Sequence, residues 1–316
     1  MSNVFYIDKP LRYGMVGGGA TSQIGDSHRV ALRRDSYYQL VAGAFDIDAE
    51  RGRKHGKSLG LEPERIYSDY QKMVQSESDR EDGIQVAGIM TPNSTHYEIA
   101  KYFIEAGIHL ILEKPITTKT EEALDLMELA KEKNVLCASM YGYCGYPMIR
   151  QARSMVEAGE LGEVRVVQTE FAHGNCATAV EQHSEGAAWR NDPQTSGGTV
   201  LGDEGTLALH LATFITGQHV HQVAPDFQNF VEGRVLEDNT HVLLRFEEGA
   251  SGYFEALSNI CSDFEQVLMA RLSGKNNDAA NLGYPTLEYG AHGVKFIVSF
   301  AESTQNKGYW VNSKLY

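Results

Sequence analysis

His109-Leu110-Ile111-Leu112-Glu113-Lys114-Pro115 is an apolar run that ends in a carboxylate, an amine and a proline. Such a short, bounded run is typical of a buried parallel strand. Ligands of an open α/β sheet bind at the carboxyl ends of its strands, where Glu113 and Lys114 would lie. Because Pro115 cannot donate the next ladder hydrogen bond, the chain leaves the sheet where an ammonium group enters the crevice. An isolated strand-end lysine is usually only solvated, but this pattern predicts a functional one.

The composition of the 316-residue chain is that of an ordinary globular protein, with 42% hydrophobic and 22% charged residues. This length predicts two domains or one large one. A net charge of −14 argues against nucleic-acid binding, which requires basic patches. We find no long apolar run and no signal-peptide pattern, so we expect a cytoplasmic protein with no membrane partner. The cysteines match no metal-ligand spacing, so we expect reduced thiols and no metal; they are Cys137, Cys144, Cys176 and Cys261.

A glycine-rich loop follows the first predicted strand, Leu11 to Val16, and precedes a helical pattern. Bare N–H groups at a helix N-terminus make such a loop a cradle for the pyrophosphate of a dinucleotide. In a G-x-G-x-x-G alignment Gly17 and Gly19 match, whereas Ser22 takes the third position, where a small residue still permits close packing. The motif is weak alone, because glycine triplets also form ordinary turns. The predicted cofactor contacts in this loop are Gly17, Gly19, Ser22, Gln23 and Ile24.

Two acids follow the second predicted strand, Leu40 to Phe45. An acid at this point can bond a ribose hydroxyl, so we assign Asp46 to the cofactor. Asp46 favours NAD over NADP because it would repel a 2′-phosphate, although Arg51 and Arg53 nearby weaken this preference. Asp48 is better placed as the N-cap of the next helix.

A third buried strand, Val86 to Met90, runs into Thr91-Pro92-Asn93-Ser94-Thr95-His96. The proline and asparagine predict a sharp turn at the carboxyl edge of the sheet. Thr91, Asn93 and His96 are candidate contacts to the nicotinamide ribose, with His96 equally consistent with a structural role. A later helix is predicted to begin with Thr120 as its N-cap. Strands and helices alternate throughout this half, which predicts a doubly wound α/β fold.

Three of these motifs together resemble the Gfo/Idh/MocA oxidoreductases, the relatives of glucose–fructose oxidoreductase and inositol dehydrogenase: the glycine loop, Thr91-Pro92-Asn93 with His96, and Glu113-Lys114-Pro115. The resemblance implies a Rossmann domain over residues 1–140 and a C-terminal α+β domain with a mainly antiparallel open sheet over residues 141–316, its last helices packing back on the first. It also implies NAD or NADP and hydride transfer at a secondary alcohol of a sugar or polyol. Lys114 matches a lysine that lies beside the nicotinamide and contacts the reacting hydroxyl, and Glu113 lies with it at the cofactor.

The family also carries an aspartate with a histidine four residues later on one helix face, the histidine taking the hydroxyl proton. Asp203 and Gly205 match this pattern, but Leu207 stands in place of the histidine and cannot accept a proton. Glu204 stands where relatives usually carry an apolar residue. His210, three residues beyond Leu207, reaches the cleft less directly, and its default interpretation is structural.

Proton acceptance therefore has several candidates in the sequence: Lys114, His210 or His173. A Trp-Arg pair in the irregular segment after Phe171 matches residues that close over substrate in similar proteins, with plain packing of the tryptophan equally consistent. The predicted catalytic residues are Lys114, Asp203 and His210. The predicted substrate contacts are Lys114, His173, Trp189, Arg190 and Asp203.

In the second half, strands are predicted over Gly162 to Phe171, Val220 to Phe230 and His241 to Phe246, followed by helices over Tyr253 to Leu272 and Tyr289 to Gln305. Relatives carry more strands before the last helix, so we expect a shortened sheet. The open face of this sheet forms the oligomer interface in the family, which suggests a homo-oligomer.

Three functions are consistent with the sequence. The first is a sugar or polyol dehydrogenase in which Lys114 and Asp203 meet at the nicotinamide. The second is a degenerate homologue that binds dinucleotide and turns over poorly, which Leu207 favours. The third is a non-redox binding protein, because fold alone does not fix function.

Overall fold

The computed structural model describes residues 9–22, 24–171, 201–233, 236–247, 284–305 and 309–316, together with Leu268 and Arg271. Strands and helices succeed one another in the first half. The strands are β1 (Leu11–Gly17), β2 (Tyr38–Ala44), β3 (Val86–Met90), β4 (His109–Leu112) and β5 (Cys137–Ser139). The helices are α1 (Gly25–Arg34), α2 (Ala49–Ser58), α3 (Tyr70–Ser78), α4 (His96–Glu105) and α5 (Thr120–Glu132).

The five strands form one parallel sheet in the order β2-β1-β3-β4-β5. The winding direction reverses between β1 and β3, where an open α/β sheet forms its ligand crevice. The register aligns the strand ends, since Gly17 pairs with Met90 and Ile89 pairs with Leu112. The carboxyl ends of β1, β3 and β4 therefore lie side by side along one edge.

Both faces of this sheet are buried. Along β4, Leu110 and Leu112 pack into one core with Phe103 of α4, whereas Ile111 packs into the opposite core with Met15. This alternation follows from the two-residue period of a strand. It explains why β4 reads as a continuous apolar run that stops at Glu113, where the strand has ended.

The second half contributes α6 (Pro147–Glu157), α7 (Thr206–Thr216), α8 (Leu287–Gln305) and, before α7, a π-helical turn (Leu201–Gly205). Its strands are β6 (Val220–Gln228), β7 (Asn239–Phe246) and β8 (Val311–Asn312). Within the described ranges they form a three-stranded antiparallel sheet in the order β7-β6-β8. The predicted fold class, a parallel Rossmann-like sheet followed by an antiparallel sheet, is confirmed.

Helix α8 lies between the two sheets. Its first turns place Leu287 and Val294 in the core of the parallel sheet, and its later turns pack Phe296 and Phe300 against Val223 of β6. One helix thus contributes to both hydrophobic cores. This shared packing holds α7, and the turn before it, in a fixed position relative to β4.

Some predicted boundaries differ from the structure. Thr120 is the first helical residue of α5 and Lys119 is its N-cap, without a side-chain hydrogen bond, so the predicted cap is wrong. Residues 162–171 form no regular strand, because they pair with no strand in the described part of the chain. The predicted helix over Tyr253 to Leu272 lies outside the described residues except for Leu268 and Arg271. None of the helices in the described ranges combines the length and apolarity of a membrane span.

Candidate active site

Lys114 and Asp203 meet at the carboxyl edge of the parallel sheet. Lys114 Nζ donates to Asp203 Oδ1 at 2.5 Å and also to the Asp203 backbone carbonyl. Lys114 follows the end of β4, while Asp203 belongs to the π-helical turn, a type of turn that occurs frequently at functional sites. The lysine side chain is 11% exposed and the aspartate 35% exposed. The pair is therefore largely enclosed but open on the aspartate side, where a small polar molecule can reach it.

The glycine turn lies beside this pair on the same edge. Gly17 and Gly18 both have positive φ, +74° and +68°, a conformation that a side chain disfavours. A Cβ on Gly19 would lie 2.6 Å from the Phe45 carbonyl. The turn leads to the N-terminus of α1, where the backbone N–H groups and the helix dipole favour an anion. A cradle that only glycine can line fits the pyrophosphate of a dinucleotide.

The third glycine of the motif is Gly25, and not the position predicted at Ser22. A Cβ on Gly25 would lie 2.4 Å from the Gly18 carbonyl, so α1 can approach β1 only because this residue is glycine. Ser22 instead accepts a hydrogen bond from the Gly25 N–H at 3.2 Å through its hydroxyl. The loop is three residues longer than G-x-G-x-x-G, so aligning that motif to the sequence places its third position at Ser22 and not at Gly25. Ile24 is the N-cap of α1, and Gln23 lies outside the described residues.

Asp46 lies just beyond β2, as predicted. Its carboxylate accepts two hydrogen bonds from the Arg51 guanidinium, at 3.0 and 3.1 Å, and one from the Asp48 N–H at 2.8 Å. Burial raises the pKa of Asp46, but the hydrogen bonds from Arg51 and Asp48 outweigh it and the net pKa is lowered. Asp46 is therefore ionised at neutral pH. Asp48 caps α2, accepting from the Glu50 and Arg51 N–H groups, which confirms the predicted N-cap.

Thr91, Asn93 and His96 form the turn after β3. The Thr95 hydroxyl donates to Thr91 Oγ1 at 2.8 Å, and Asn93 is 7% exposed. His96 is fully buried, with its two ring nitrogens 2.8 Å from the carbonyl oxygens of Thr91 and Pro115. Burial lowers the pKa of His96, while both carbonyls oppose that shift. The ring is thus occupied by backbone, so the predicted cofactor contact from His96 is not available and its role is structural.

His210 does not contact the Lys114–Asp203 pair. Its ring is 4% exposed and stacks on Tyr141 at a centroid distance of 4.3 Å, with Tyr289 edge-on at 5.2 Å. Neither ring nitrogen has a hydrogen-bond partner among the described residues. Burial lowers the pKa of His210 to about 3, with a smaller contribution from Arg153. An enclosed neutral ring of this kind argues against the proton transfer predicted for His210.

Leu207, the residue in place of the family histidine, lies in the first turn of α7 and is 7% exposed.

Sequence reasoning missed His28, a fully buried residue of α1 whose Nε2 donates to Glu113 Oε1 at 2.8 Å. The signal for it was a histidine on a helix predicted to pack against the sheet, which is too common a pattern to single out. The predicted substrate residues His173, Trp189 and Arg190 lie outside the described residues.

Two family models match the chain. The oxidoreductase family with an NAD-binding Rossmann fold matches residues 11–141, and the GFO/IDH/MocA C-terminal domain matches residues 149–272. Among curated proteins, the uncharacterised oxidoreductase YfiI of Bacillus subtilis is 46% identical over 268 residues, 83% of this chain and 68% of that protein. The levoglucosan dehydrogenase of Pseudarthrobacter phenanthrenivorans is 24% identical over 79% of this chain and 68% of its own length.

Solved structures agree. An inositol dehydrogenase homologue from Azotobacter vinelandii, in complex with NAD+, aligns with a TM-score of 0.91 and 34% identity over 99% of this chain and all of that one. A second structure of an inositol dehydrogenase homologue from Azotobacter vinelandii, in complex with NADH and myo-inositol, aligns with a TM-score of 0.86 and 33% identity. That alignment covers 97% of this chain and 98% of the other. The two family models together span most of the sequence, and the chain therefore belongs to the Gfo/Idh/MocA family of NAD-binding oxidoreductases.

Proposed function

We propose that this protein is an NAD-dependent dehydrogenase of a sugar or cyclitol, and that it oxidises a secondary alcohol held at Lys114 and Asp203. The observation that carries the proposal is the contact between these two side chains on the sheet edge that also bears the glycine turn. Relatives that act on levoglucosan or are crystallised with myo-inositol support a small polyhydroxylated substrate. The net charge of −14 also suits an uncharged substrate better than an anionic one.

In the proposed reaction the carbinol carbon is oxidised to a carbonyl, one hydride leaves that carbon and one proton leaves its oxygen. NAD+, when bound, accepts the hydride. The chain's own residues hold the alcohol in place, since orientation of the reacting atoms is a large part of the rate enhancement. The proton that leaves the hydroxyl passes to the Lys114–Asp203 pair, in which the Asp203 carboxylate 2.5 Å from Lys114 Nζ stabilises the ammonium.

Cofactor preference is a further part of the proposal. An ionised Asp46 at the end of β2 accepts hydrogen bonds from a ribose diol and repels a 2′-phosphate, which favours NAD. Arg51 partly offsets that charge through its two hydrogen bonds to Asp46. We therefore expect NADPH to bind more weakly than NADH without being excluded.

A second candidate function is dinucleotide binding with little turnover, and Leu207 is the observation that favours it. Leucine offers no base at the position where the family carries its histidine. In that case Lys114 and Asp203 would still form an ion pair at the cofactor. The two functions differ in activity and agree in nucleotide binding, so one series of measurements separates them.

In the first step the protein is titrated with NADH and with NADPH, and binding is monitored by the fluorescence of the reduced nicotinamide. NAD+ is then supplied with a panel of cyclitols, aldoses and anhydro sugars, and the absorbance of reduced nicotinamide is recorded. Binding together with turnover of at least one member supports the proposed dehydrogenase. Binding without turnover supports the second candidate, and failure to bind either nucleotide overturns both.

We also propose that the open face of the antiparallel sheet is an interface between copies of the chain. Alternate residues of β7 face outward, with Leu243 67% exposed, while Val242 and Leu244 pack inward on α8. Sedimentation velocity of the wild type and of Leu243→Glu tests this point. An oligomer that the substitution dissociates is expected, and a wild-type monomer would contradict it.

A further inference from the structure

The carboxylate of Glu113 joins a helix to the backbone of Lys114. Its Oε1 accepts from His28 Nε2 at 2.8 Å, and its Oε2 accepts from the Lys114 backbone N–H at 3.1 Å. The side chain is only 13% exposed. The Glu113 N–H in turn donates to the Ile89 carbonyl of β3 at 3.1 Å. The side chain and the backbone N–H of Glu113 thus both form hydrogen bonds that fix the start of the turn containing Lys114.

His28 transmits the position of the glycine turn to Glu113. It lies on α1, three residues after Gly25, and its ring is fully buried. A carboxylate only accepts hydrogen bonds, so Nε2 of His28 carries a proton in this contact. Nδ1 has no hydrogen-bond partner among the described residues. Because Gly25 packs directly on Gly18, a shift of the glycine turn would move His28 and then Glu113.

A second buried histidine holds the other side of the same turn. His96 of α4 contacts the Pro115 carbonyl and the Thr91 carbonyl, each at 2.8 Å. The two residues that flank Lys114 in the chain therefore each contact a buried imidazole, and the two imidazoles come from different helices. The backbone on both sides of Lys114 is therefore fixed, and its side chain extends from this turn to Asp203.

We propose that His28, Glu113 and His96, together called the histidine clamp, are positioning residues that fix Lys114 relative to the bound dinucleotide. This inference rests on the proposed dehydrogenase function, because a positioned lysine matters most when it faces a reacting alcohol. Displacement of a catalytic group by about 1 Å can cost about 100-fold in rate. Because the clamp connects the lysine to the glycine turn, the lysine moves together with the turn. Its position relative to the bound cofactor is therefore kept when the turn shifts.

The first test compares Glu113→Ala and His28→Ala with wild type, using NAD+ and the most active polyol of the panel, or myo-inositol if several are equal. We expect kcat to fall by about 10- to 100-fold while KM and the NADH dissociation constant change by less than about threefold, as when a supporting hydrogen bond behind a catalytic group is lost. His109→Ala is the matched control. His109 lies at the opposite end of β4, where its Nδ1 accepts from the Leu136 N–H at 3.0 Å, so its loss lowers stability without moving Lys114.

Glu113→Gln provides the rescue. The glutamine carbonyl can still accept from the Lys114 N–H, and its amide can donate to His28 Nε2 once the ring proton moves to Nδ1. No described partner of Nδ1 opposes that change. We expect Glu113→Gln to retain kcat within about fivefold of wild type, unlike Glu113→Ala. A kcat within twofold of wild type for both alanine variants, or an equal loss in His109→Ala, would overturn the clamp.

A second readout does not depend on turnover. Long-range 1H–15N NMR spectra of the His28 ring, recorded above pH 8, report which nitrogen carries the proton. We expect Nε2–H in the wild type and Nδ1–H in Glu113→Gln, and a wild-type ring without a proton on Nε2 would overturn the inference. If the panel yields no wild-type turnover, the proposed function fails, and the clamp is then decided by the tautomer and by the fluorescence of bound NADH in the alanine variants. An unchanged fluorescence in both variants would overturn it.

Discussion

Lys114 Nζ lies 2.5 Å from Asp203 Oδ1, although 89 residues separate them in the chain. One residue follows a strand of the parallel sheet, and the other precedes a helix of the second half. Their contact is made possible by α8, which packs on both halves and holds α7 against the sheet edge. An amine and a carboxylate arranged in this way can form hydrogen bonds with a substrate hydroxyl and take part in the transfer of its proton.

Removal of the amine should abolish turnover. Lys114→Ala is expected to lower kcat by about 100- to 10,000-fold, the usual contribution of a general acid–base group. The NADH dissociation constant should change little, because the glycine turn is intact. Lys119→Ala, which removes an exposed lysine paired with Glu122, is the matched control. Near-normal kcat in Lys114→Ala would remove the lysine from the mechanism.

Restoring a histidine at the family position should raise the rate. Leu207→His is expected to increase kcat by up to about 100-fold and to add an inflection near neutral pH to its pH profile, because an imidazole titrates there. Leu207→Gln is the control of similar size and polarity that cannot take up the proton. If both variants equal wild type, another residue already accepts the proton and Leu207 is not rate-limiting.

The close packing at Gly25 predicts a severe effect of one methyl group. Gly25→Ala would place a Cβ 2.4 Å from the Gly18 carbonyl, so α1 must move away from the glycine turn. We expect a loss of about 1–3 kcal/mol in the free energy of unfolding and NADH binding weaker by at least tenfold, or about 1.4 kcal/mol. Gly52→Ala in α2, where the nearest neighbour would be 3.4 Å away, should be neutral or stabilising. Equal NADH affinity in the two variants would show that the contact is unimportant.

Cofactor preference should depend on Asp46. Asp46→Ser removes the charge that opposes a 2′-phosphate and releases Arg51 to bind it, so the ratio of NADPH to NADH affinity should rise by about tenfold or more, equivalent to about 1.4 kcal/mol. Asp48→Ser tests the neighbouring carboxylate, which caps α2, and should leave the ratio unchanged. Titrations of both nucleotides measure the two ratios. An unchanged ratio in Asp46→Ser would exclude Asp46 from the ribose site.

Buried histidines predict the dependence of stability on pH. Burial lowers the pKa of His210 to about 3 and those of His109 and His292 to about 4. In the unfolded chain these rings titrate near 6.5, so below that pH the unfolded state binds protons that the folded state does not. The stability that they contribute is therefore complete above pH 6.5 and is lost as the pH falls towards 4.

His210→Phe tests that dependence, because phenylalanine preserves the stack on Tyr141 without a titrating group. The slope of the free energy of unfolding against pH, measured by urea denaturation between pH 5 and 6, should decrease by about 1 kcal/mol per pH unit. His241→Phe, at an exposed position of β7, should leave the slope unchanged. Equal slopes in wild type and His210→Phe would contradict the buried neutral ring.

The order of strands and helices in the first half could be predicted because each element carries a local signal. β3 has the predicted bounds, and Asp48 caps α2 as its position after a strand suggested. The third glycine could not be located, because the length of a loop changes which residue packs against β1 and the sequence shows only the residues in order. His210 was assigned to the site because it lies three residues beyond the family's histidine position, whereas its burial against Tyr141 depends on how the helices pack.

The sequence by itself determined the parallel sheet, its glycine turn and the lysine at the end of β4, since apolar runs, glycines and a proline act within a few residues of one another. The tertiary structure decided which groups that lysine meets. Asp203, His28 and His96 reach its turn from three separate helical segments, and their convergence depends on how the cores pack. Packing is a long-range property, because each helix can rotate or slide until all of its buried faces are satisfied together.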